Sequence, residues 1–486
     1  MKKILFVYPN INRQKSVQIG IASLITVAKS CGYECDLFDI TFIGEKDINY
    51  SFINKINDYQ PDIIGISSRS NEWETVKTLI DLIPEKVFII VGGPHPTVAP
   101  DEVIEYDKVD CIVIGEGEKV LKNILLSYKE GKIKSDILGT YIKLKNIIEK
   151  NQPEKLNDDL SDIDYPDWSL FDERHIIHST FGKIYRIGSF EGSRGCPYGC
   201  AYCINKYLQN YYSGKGKYHR KKSVDRLINE ILYFKEKYKI EFVYLADETF
   251  LLDNNWLKEF SEKYKNKVDL PFSFMTRAET ATEEKMELAA AAGAKYVSIG
   301  IESGSEEFRR KYLNRKMTNE QIINAFRSAK KYGIETNSFN MIGFPYETEE
   351  DIFKTIKLNK IIQPDNIQCT IFYPFKGTEL YKLCLENNFI NENNLSAKNY
   401  YSSSILNFPN KKKTKIIRTR NLFEYLCSNK SLITKLLELS LNYKIIYNIF
   451  YGCIKIKKQN QYFYNLYKNI GFYKFIRHII KKLCAY

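Results

Sequence analysis

Short apolar segments alternate with amphipathic segments along most of this chain, and that alternation limits its fold more than any other feature. In the first part of the sequence the apolar segments are rich in β-branched residues, as strands buried on both faces require. They lie at 4–9, 33–39, 62–68, 87–91 and 111–115, with amphipathic stretches such as 19–30 and 71–82 between them. Five such βα units predict an α/β fold with an open, doubly wound parallel sheet over residues 1–133.

The carboxyl ends of these predicted strands carry glycine and polar residues. In a doubly wound sheet, ligands bind outside those ends. Glycine at such a position lets the backbone approach a large flat ligand or form a tight turn. The candidate binding residues at this edge are Tyr8, Ser67, Ser68, Gly92, Gly93, His95, Gly115 and Glu116.

Three cysteines, Cys196, Cys200 and Cys203, are separated by three and then two residues in a glycine-rich loop. Thiolates this close can bind one metal cluster, and three of them leave one iron of a four-iron cluster without a protein ligand. A zinc site would need a fourth Cys or His, and the nearest candidate, His219, lies sixteen residues after Cys203. The spacing therefore favours an iron–sulfur cluster over a zinc site or three structural cysteines.

A second series of βα units follows the cysteine loop, with strand-like runs at 185–190, 242–246, 272–276, 296–301, 335–342 and 366–372. In a βα barrel the chemistry lies at the carboxyl ends of the strands, and every end here is polar. Asp247 and Glu248 follow the second run, Arg277 the third and Glu302 the fourth. A helix N-cap is the alternative role for an acid such as Asp247, and two adjacent residues on a strand end cannot both point inward.

The cysteine loop and these strand ends resemble the radical S-adenosylmethionine (SAM) enzymes. Residues 1–133 resemble the flavodoxin-like cobalamin-binding domain that precedes the barrel in one large subfamily, which includes class B methyltransferases and anaerobic magnesium-protoporphyrin monomethyl ester cyclases. The resemblance implies a linker and strap at 134–182, an incomplete (β/α)6 barrel at 183–395 and a helical C-terminal region at 396–486.

The same resemblance implies roles for individual residues. Cys196, Cys200 and Cys203 would hold a 4Fe-4S cluster. Arg277 would bind the SAM carboxylate, and Glu302 the ribose hydroxyls. The adenine edge would meet the backbone of Ile342, Gly343 and Phe344, while Asp247 and Glu248 are the candidate catalytic acids.

Cobalamin would contact the eight residues at the first sheet edge, but one expected motif is missing. Many cobalamin domains carry Asp-x-His-x-x-Gly, whose histidine ligates cobalt, and no such motif occurs here. The resemblance thus implies cobalamin held without a protein histidine ligand. His95, between two prolines, is expected to contact the corrin side chains or to cap its strand. The alternative is a vestigial domain that only packs on the barrel.

The activity that the resemblance implies is radical chemistry under anaerobic conditions. The reduced cluster would cleave SAM to methionine and a 5′-deoxyadenosyl radical, and methylcobalamin would pass a methyl group to an unactivated centre of a small-molecule or lipid substrate. A flavodoxin or ferredoxin would supply the low-potential electron. An oxidative, ring-forming cyclase with the same cofactors is the first alternative, and a corrinoid- or cluster-based sensor is the second.

Charge is concentrated in the tail. Residues 411–486 hold 17 Lys or Arg against two acids, whereas the rest of the chain holds 55 basic and 57 acidic residues. Its helix-permissive stretches at 432–454 and 462–483 predict either interfacial helices on an anionic membrane or a helical cap that closes the barrel with solvated lysines. No nucleic-acid partner is expected. Scattered cysteines indicate a reducing cytoplasm, with peripheral contact at the inner membrane face under the first alternative.

Overall fold

The computed structural model describes residues 1–391 except 132, 145, 146 and 181, residues 403–428, and residues 440–455 except 446, 449 and 453. Its strands are β1 (Lys3–Tyr8), β2 (Glu34–Asp39), β3 (Ile63–Ser67), β4 (Phe88–Gly92), β5 (Cys111–Val113), β6 (Thr140–Leu144), β7 (Ile147–Lys150), β8 (Ile177–Thr180), β9 (Lys183–Phe190), β10 (Ser193–Arg194), β11 (Arg220–Lys221), β12 (Phe242–Leu245), β13 (Phe272–Arg277), β14 (Ala294–Glu302), β15 (Glu335–Ile342) and β16 (Asn366–Ile371).

Helices connect most of these strands. They are α1 (Ile19–Ser30), α2 (Ile48–Tyr59), α3 (Trp73–Asp81), α4 (Pro94–Val98), α5 (Pro100–Ile104), α6 (Glu118–Lys129), α7 (Asn205–Tyr211), α8 (Val224–Tyr238), α9 (Asn254–Lys267), α10 (Glu283–Ala292), α11 (Glu306–Tyr312), α12 (Asn319–Lys331), α13 (Glu349–Ile362), α14 (Glu379–Glu386) and α15 (Asn410–Leu426).

The first sheet has the strand order β2-β1-β3-β4-β5-β6-β7. Strands β1 to β5 are parallel, and the hairpin β6–β7 adds two antiparallel strands at one edge. Alternate residues of β1 face opposite sides: Ile4 and Phe6 pack with α1 and α6, whereas Leu5 and Val7 pack with α2 and α3. The predicted doubly wound sheet is confirmed, and a hairpin from the predicted linker region extends it.

The second sheet has the strand order β16-β15-β14-β13-β12-β9-β8. Six of these strands are parallel, and β8 is antiparallel at the edge. The sheet's two edge strands are β16 and β8, which do not pair with each other, so the barrel is incomplete as expected. Helices α12 and α13 begin at Thr318 and Thr348, each of which forms a capping box.

A strap joins the two sheets into one core. Trp168 is buried, and its ring stacks on Phe234 of α8 at 4.0 Å between centroids. On its other side, Asp167 N donates to Ala22 O of α1 at 3.0 Å, and Thr26 Oγ1 donates to Tyr165 O at 2.8 Å. The strap thereby fixes α1 of the first sheet against α8 of the barrel.

The first part of the basic tail covers the barrel edge. Helix α15 packs along β16 and buries Ile416, Leu422 and Phe423. Lys412 Nζ donates to Glu347 O at 3.1 Å, so α15 also touches the loop after β15. This arrangement matches the cap alternative for 410–426; the stretch 462–483 and much of 432–454 lie outside the described residues. Among the described helices, none is long and apolar enough to span a membrane.

Candidate functional site

The three-cysteine loop lies between β10 and α7, at the carboxyl end of β9. Cys196 and Cys200 are buried and Cys203 is half-buried. Gly195 has φ +78°, and a Cβ there would lie 2.6 Å from Tyr218 O, so the loop requires glycine at this point. Gln209 Nε2 donates to the carbonyl oxygens of Cys196 and Tyr198 at 2.8 and 3.0 Å, which holds the backbone of the loop from outside.

Hydrogen-bond donors surround the three sulfur atoms. Arg277 Nη1 lies 2.9 Å and Arg315 Nη1 3.6 Å from Cys200 Sγ, and Asn205 Nδ2 lies 3.4 Å from Cys203 Sγ. Burial raises the pKa of the Cys203 thiol to about 11, so thiolates here need charge compensation from a metal or from these donors. The donor set therefore fits a thiolate-bound iron–sulfur cluster.

A site for a single metal ion would need its ligands closer together than a cluster does. Among the described residues, no three His, Cys, Asp or Glu side chains are grouped tightly enough to bind one metal ion. A four-iron cluster presents a different iron to each cysteine, so its ligands stand further apart than those of a single ion.

The two candidate catalytic acids point in different directions, as expected for neighbours on a strand end. Asp247 is buried and accepts hydrogen bonds from Gly192 N at 3.1 Å and from the Ser193 hydroxyl, at the start of the cysteine loop. Glu248, the next residue, is exposed. The surrounding protein, followed by the charges of Asp247 and Glu191, raises the Glu248 pKa to about 7. Asp247 supports the loop, and Glu248 leaves a carboxylate open to a ligand.

Glu302 lies at an irregular end of β14, beside a cation that sequence reasoning missed. The strand register shifts between Gly300 and Glu302, and Glu302 has φ +66°. Burial raises the Glu302 pKa, while Arg315 and the Tyr202 hydroxyl oppose that shift. Arg315 Nη2 donates to Gly300 O at 2.6 Å and Nη1 to Tyr202 Oη at 3.0 Å. Because Arg315 follows a helix rather than a strand, no strand-end pattern marks it.

Arg277 is less available than the sequence suggested. Its guanidinium pairs with Glu279 at 2.5 Å and stacks over the Tyr198 ring at 3.8 Å. Arg315 has no carboxylate this close, and its buried Nε has no hydrogen-bond partner among the described residues. The structure thus brings two arginines to Cys200, of which Arg315 keeps an unused donor.

The backbone expected to meet adenine is held by another buried acid. The N–H groups of Gly343 and Phe344 donate to Glu347 Oε2 at 2.5 and 3.3 Å, and Ile342 O accepts from Phe372 N at 2.9 Å. These groups are already used within the protein, so an adenine contact here would need the Gly343 carbonyl or side chains. The adenine site stays a prediction, and Glu347 is a residue that the sequence pattern did not single out.

The pH dependence of stability should reveal Glu347. Burial raises its pKa to about 8 from an ordinary value near 4.5, so the unfolded chain releases this proton first as the pH rises. The free energy of unfolding should therefore fall between about pH 4.5 and 8, with a slope of up to about 1.4 kcal/mol per pH unit from this group. Glu347→Gln should remove that component, as measured by urea denaturation across the range.

A matched control for this experiment is Glu335→Gln, at the exposed start of β15, the strand that precedes the Glu347 loop. The control should keep the wild-type pH dependence. If Glu347→Gln also keeps it, Glu347 does not carry a raised pKa.

A cavity of about 280 Å³ opens at the carboxyl edge of the first sheet. Five of the eight residues predicted there line it, and the barrel contributes Glu191 and Arg194. Gly65, in the middle of β3, also lines it and leaves space beside the Phe6 ring. The cavity is apolar and at the small end of ligand pockets, so it fits one flat part of cobalamin. The predicted residues that line it are Ser67, Gly92, Gly93, Gly115 and Glu116.

The other three predicted residues do not line this cavity and instead hold the loops around it. Tyr8 is buried. Ser68 N donates to Gly92 O, and Ser68 O accepts from His95 N, both at 2.9 Å. His95 is buried against the Trp73 ring, with Nδ1 3.2 Å from Ser70 Oγ, and burial lowers its pKa to about 4. The structure shows that His95 holds local contacts within the first domain. A contact between His95 and the corrin side chains stays a prediction.

An ionic connection joins this edge to the cysteine loop. Glu116 pairs with Arg194 at 3.4 Å and with Arg220, and Arg194 also pairs with Glu118 at 2.7 Å. Tyr212 Oη accepts a hydrogen bond from Glu116 N at 2.7 Å. We call the set of Glu116, Arg194, Arg220 and Tyr212 the Glu116 bridge. Since Arg194 lies two residues before Cys196, the bridge ties the first sheet directly to the cysteine loop.

Gly115 allows the Glu116 bridge to form, which gives a direct test. Gly115 has φ +82°, and a Cβ there would lie 1.8 Å from Tyr212 Oη, whereas Gly131 has φ +83° with no atom within 4 Å. Gly131→Ala should therefore cost only the backbone strain, about 1 kcal/mol. Gly115→Ala must also displace Tyr212 and should cost about 2–4 kcal/mol in urea denaturation. Equal losses would contradict the close approach.

Sequence comparison finds two known domain types in this chain. The radical SAM superfamily matches residues 190–358, and the B12 binding domain matches residues 13–125. An uncharacterised methyltransferase of Pyrococcus horikoshii is 30% identical over 380 residues, which span 76% of this chain and 79% of that protein. The anaerobic magnesium-protoporphyrin IX monomethyl ester cyclase of Rubrivivax gelatinosus is 25% identical over 401 residues, 78% of this chain and 69% of that protein.

Two solved structures share the fold. TsrM from Kitasatospora setae, a radical SAM methyltransferase with cobalamin and a 4Fe-4S cluster bound, has a TM-score of 0.65 at 18% identity and covers 80% of this chain and 78% of its own. OxsB, a cobalamin-dependent SAM radical enzyme with aqua-cobalamin and SAM bound, has a TM-score of 0.67 at 17% identity and covers 100% of this chain and 75% of its own. At these identities the likeness shows the fold alone.

Proposed function

We propose a function from the premise that this chain belongs to the radical SAM superfamily, in the group of enzymes that also carry a B12-binding domain. The proposed activity is cobalamin-dependent radical methyl transfer to an unactivated centre of a small molecule. The observation that carries it is the Glu116 bridge, which sets the cavity of the first sheet next to the three-cysteine loop of the barrel. When bound, the cluster supplies an electron for SAM cleavage, and cobalamin carries a methyl group.

Residues of this chain have distinct proposed roles. Cys196, Cys200 and Cys203 hold the cluster, and two guanidinium groups lower the energy of the Cys200 thiolate. Glu302 and Arg315 offer SAM a half-buried carboxylate and a partly unused cation, which suit its ribose hydroxyls and its carboxylate. Support for Arg315 over Arg277 in the second role comes from the ion pair that already occupies Arg277.

Anaerobic incubation with SAM, methylcobalamin and a low-potential reductant tests this proposal. We expect 5′-deoxyadenosine and one bound corrinoid per chain. Paramagnetic resonance of the Co(II) form should show no axial nitrogen splitting, since His95 is buried away from the cavity. Absence of 5′-deoxyadenosine would overturn the radical SAM assignment, and absence of corrinoid binding would overturn the methyl transfer.

The second candidate is oxidative ring formation, which the cyclase relative from Rubrivivax gelatinosus favours. Both reactions would use the same described site. The product mass separates them, because methylation adds one methylene unit, whereas cyclisation removes hydrogen or adds oxygen. The sensor alternative has no support, since it would leave the neighbouring charges of Glu302 and Arg315 without a role.

Contact between the basic tail and a membrane is a separate proposal, and the described residues do not support it. Helix α15 packs on the barrel edge, so within the basic tail the chain after residue 428 is the part left for membrane contact. Co-sedimentation with anionic vesicles should therefore compare the full chain with a truncation after residue 428, which keeps α15. Equal sedimentation of the two forms would reject a lipid-binding tail.

A further inference from the structure

The outer face of the cysteine loop meets the protein surface beside a group of cations. Asn314 Nδ2 donates to Gly199 O at 2.6 Å, and Ala201 N donates to Leu313 O at 3.1 Å, so the loop after α11 packs directly on the cysteine loop. Around this contact lie four basic residues that we call the basic rim: Lys206, Arg310, Lys311 and Lys316.

The cations of the basic rim are accessible and unneutralised. Arg310, Lys311 and Lys316 are exposed, while Lys206 is half-buried. Within the part of the chain that the structure describes, none of the four has a carboxylate at ion-pair distance. On the neighbouring helix α13, by contrast, Lys354 pairs with Glu350 at 2.9 Å.

The dipole of helix α11 explains the positions of only two of the four basic residues. Arg310 and Lys311 lie in the last turn of α11, where the helix dipole favours cations. Lys206 lies on α7 and Lys316 on a loop, so the dipole of α11 does not explain them. Four unpaired cations from three elements form a positive surface around one point of the cysteine loop.

An exposed aromatic surface continues this face. The Tyr312 ring stacks on Tyr346 at 5.4 Å between centroids, and Tyr346 is 41% exposed. Aromatic residues and arginine are the types enriched in protein interfaces, and lysines at an interface rim steer an oppositely charged partner. The surface thus combines a contact area with a charge that selects an acidic protein.

We infer that the basic rim docks a small acidic electron-transfer protein that reduces the cluster. The inference rests on the proposed function, because reductive cleavage of SAM needs one electron per turnover. That electron would pass from the reduced partner through the cluster to SAM, whose sulfur–carbon bond would break to give methionine and the 5′-deoxyadenosyl radical. The rim is suited to this step since its contact residue Asn314 bonds the carbonyl of Gly199, the residue before Cys200.

Charge reversal on the rim tests the inference. The double variant Arg310→Glu/Lys311→Glu is compared with Lys239→Glu/Lys295→Glu, which reverses two exposed lysines at the amino ends of β12 and β14, the opposite end of the barrel. Cluster reduction is followed by loss of visible absorbance in stopped flow, with reduced flavodoxin or with reduced methyl viologen, a small cation. At low salt, the second-order rate of cluster reduction by flavodoxin should be about tenfold or more lower in the rim variant than in wild type. The rate with methyl viologen should not fall.

Each outcome decides the question. Slower reduction by flavodoxin with an unchanged or faster viologen rate supports docking at the rim, and the control should match wild type with both donors. Equal flavodoxin rates in all three proteins would overturn the inference, as would a rim variant that loses only binding to anionic vesicles, which would assign the rim to lipid. Failure of wild type to form 5′-deoxyadenosine with viologen would instead count against the proposed function.

If the double variant does not fold, Lys316→Glu supplies the test from a different element. It should give a smaller loss with flavodoxin that disappears at high salt, where surface charges are screened. A rate independent of both charge and salt would overturn the inference in the same way.

Discussion

Replacing Cys196, Cys200 and Cys203 together by alanine will remove the iron and the visible absorbance of the anaerobically purified protein. No other cysteines among the described residues share one loop with surrounding donors; the others lie in strands, helices and the ends of helices. Since each cysteine would hold a different iron, loss of all three leaves the cluster without a protein ligand. Iron and sulfide analysis, with the visible spectrum, measures the effect.

The control for this variant replaces three cysteines elsewhere, Cys31, Cys35 and Cys384, by alanine. It should keep wild-type iron. Retention of nearly four irons per chain in the loop variant would reveal a second cluster and would contradict the proposed ligand set.

Replacing Arg315 by methionine should weaken SAM binding by about thirtyfold or more while the iron content stays unchanged. The change removes the buried guanidinium that we propose binds the SAM carboxylate, and truncating one partner of a buried, hydrogen-bonded charge pair costs about 2–5 kcal/mol. Equilibrium binding of SAM to the cluster-loaded protein measures the loss. Arg327→Met, at an exposed position on α12, is the matched control and should bind SAM as wild type does.

Coupling between the two residues sharpens the test. Glu302→Gln alone should also weaken SAM binding, and the double variant Arg315→Met/Glu302→Gln should lose less than the sum of the two single losses, because each single change already breaks the same pair. Unchanged SAM affinity in Arg315→Met with full iron would show that Arg277 suffices, as the sequence resemblance first implied.

The fold followed from the sequence because its signals are local. Buried strands such as β1 and β3 are short, largely apolar runs that include β-branched residues, and the three cysteines lie within one short loop. Parts of the site did not follow, because they depend on contacts between distant segments. Arg315 reaches Cys200 from a loop after a helix, and the role of Gly115 becomes clear only when Tyr212, 97 positions later, is placed against it.

Contacts of buried polar residues could not be predicted for a related reason. The sequence allows His95, between two prolines, either a corrin contact or a strand cap, and in the structure its ring is packed against Trp73. In the sequence, the backbone N–H groups of the Ile342–Phe344 segment look available to a ligand. In the structure, Glu347 accepts hydrogen bonds from two of them. In both cases tertiary packing, which the sequence does not show, determines the contacts of the individual atoms.

The Glu116 bridge also bears on how enzymes of this architecture can be recombined. An ion pair and a hydrogen bond that cross between two cofactor domains must be inherited on both sides at once. A chimera that takes residues 1–133 from a relative without a matching acid at position 116 would bury Arg220 with its ion-pair partner removed. Exchange between relatives should therefore succeed when Arg194, Tyr212 and Arg220 travel with the first domain, although they lie in the second.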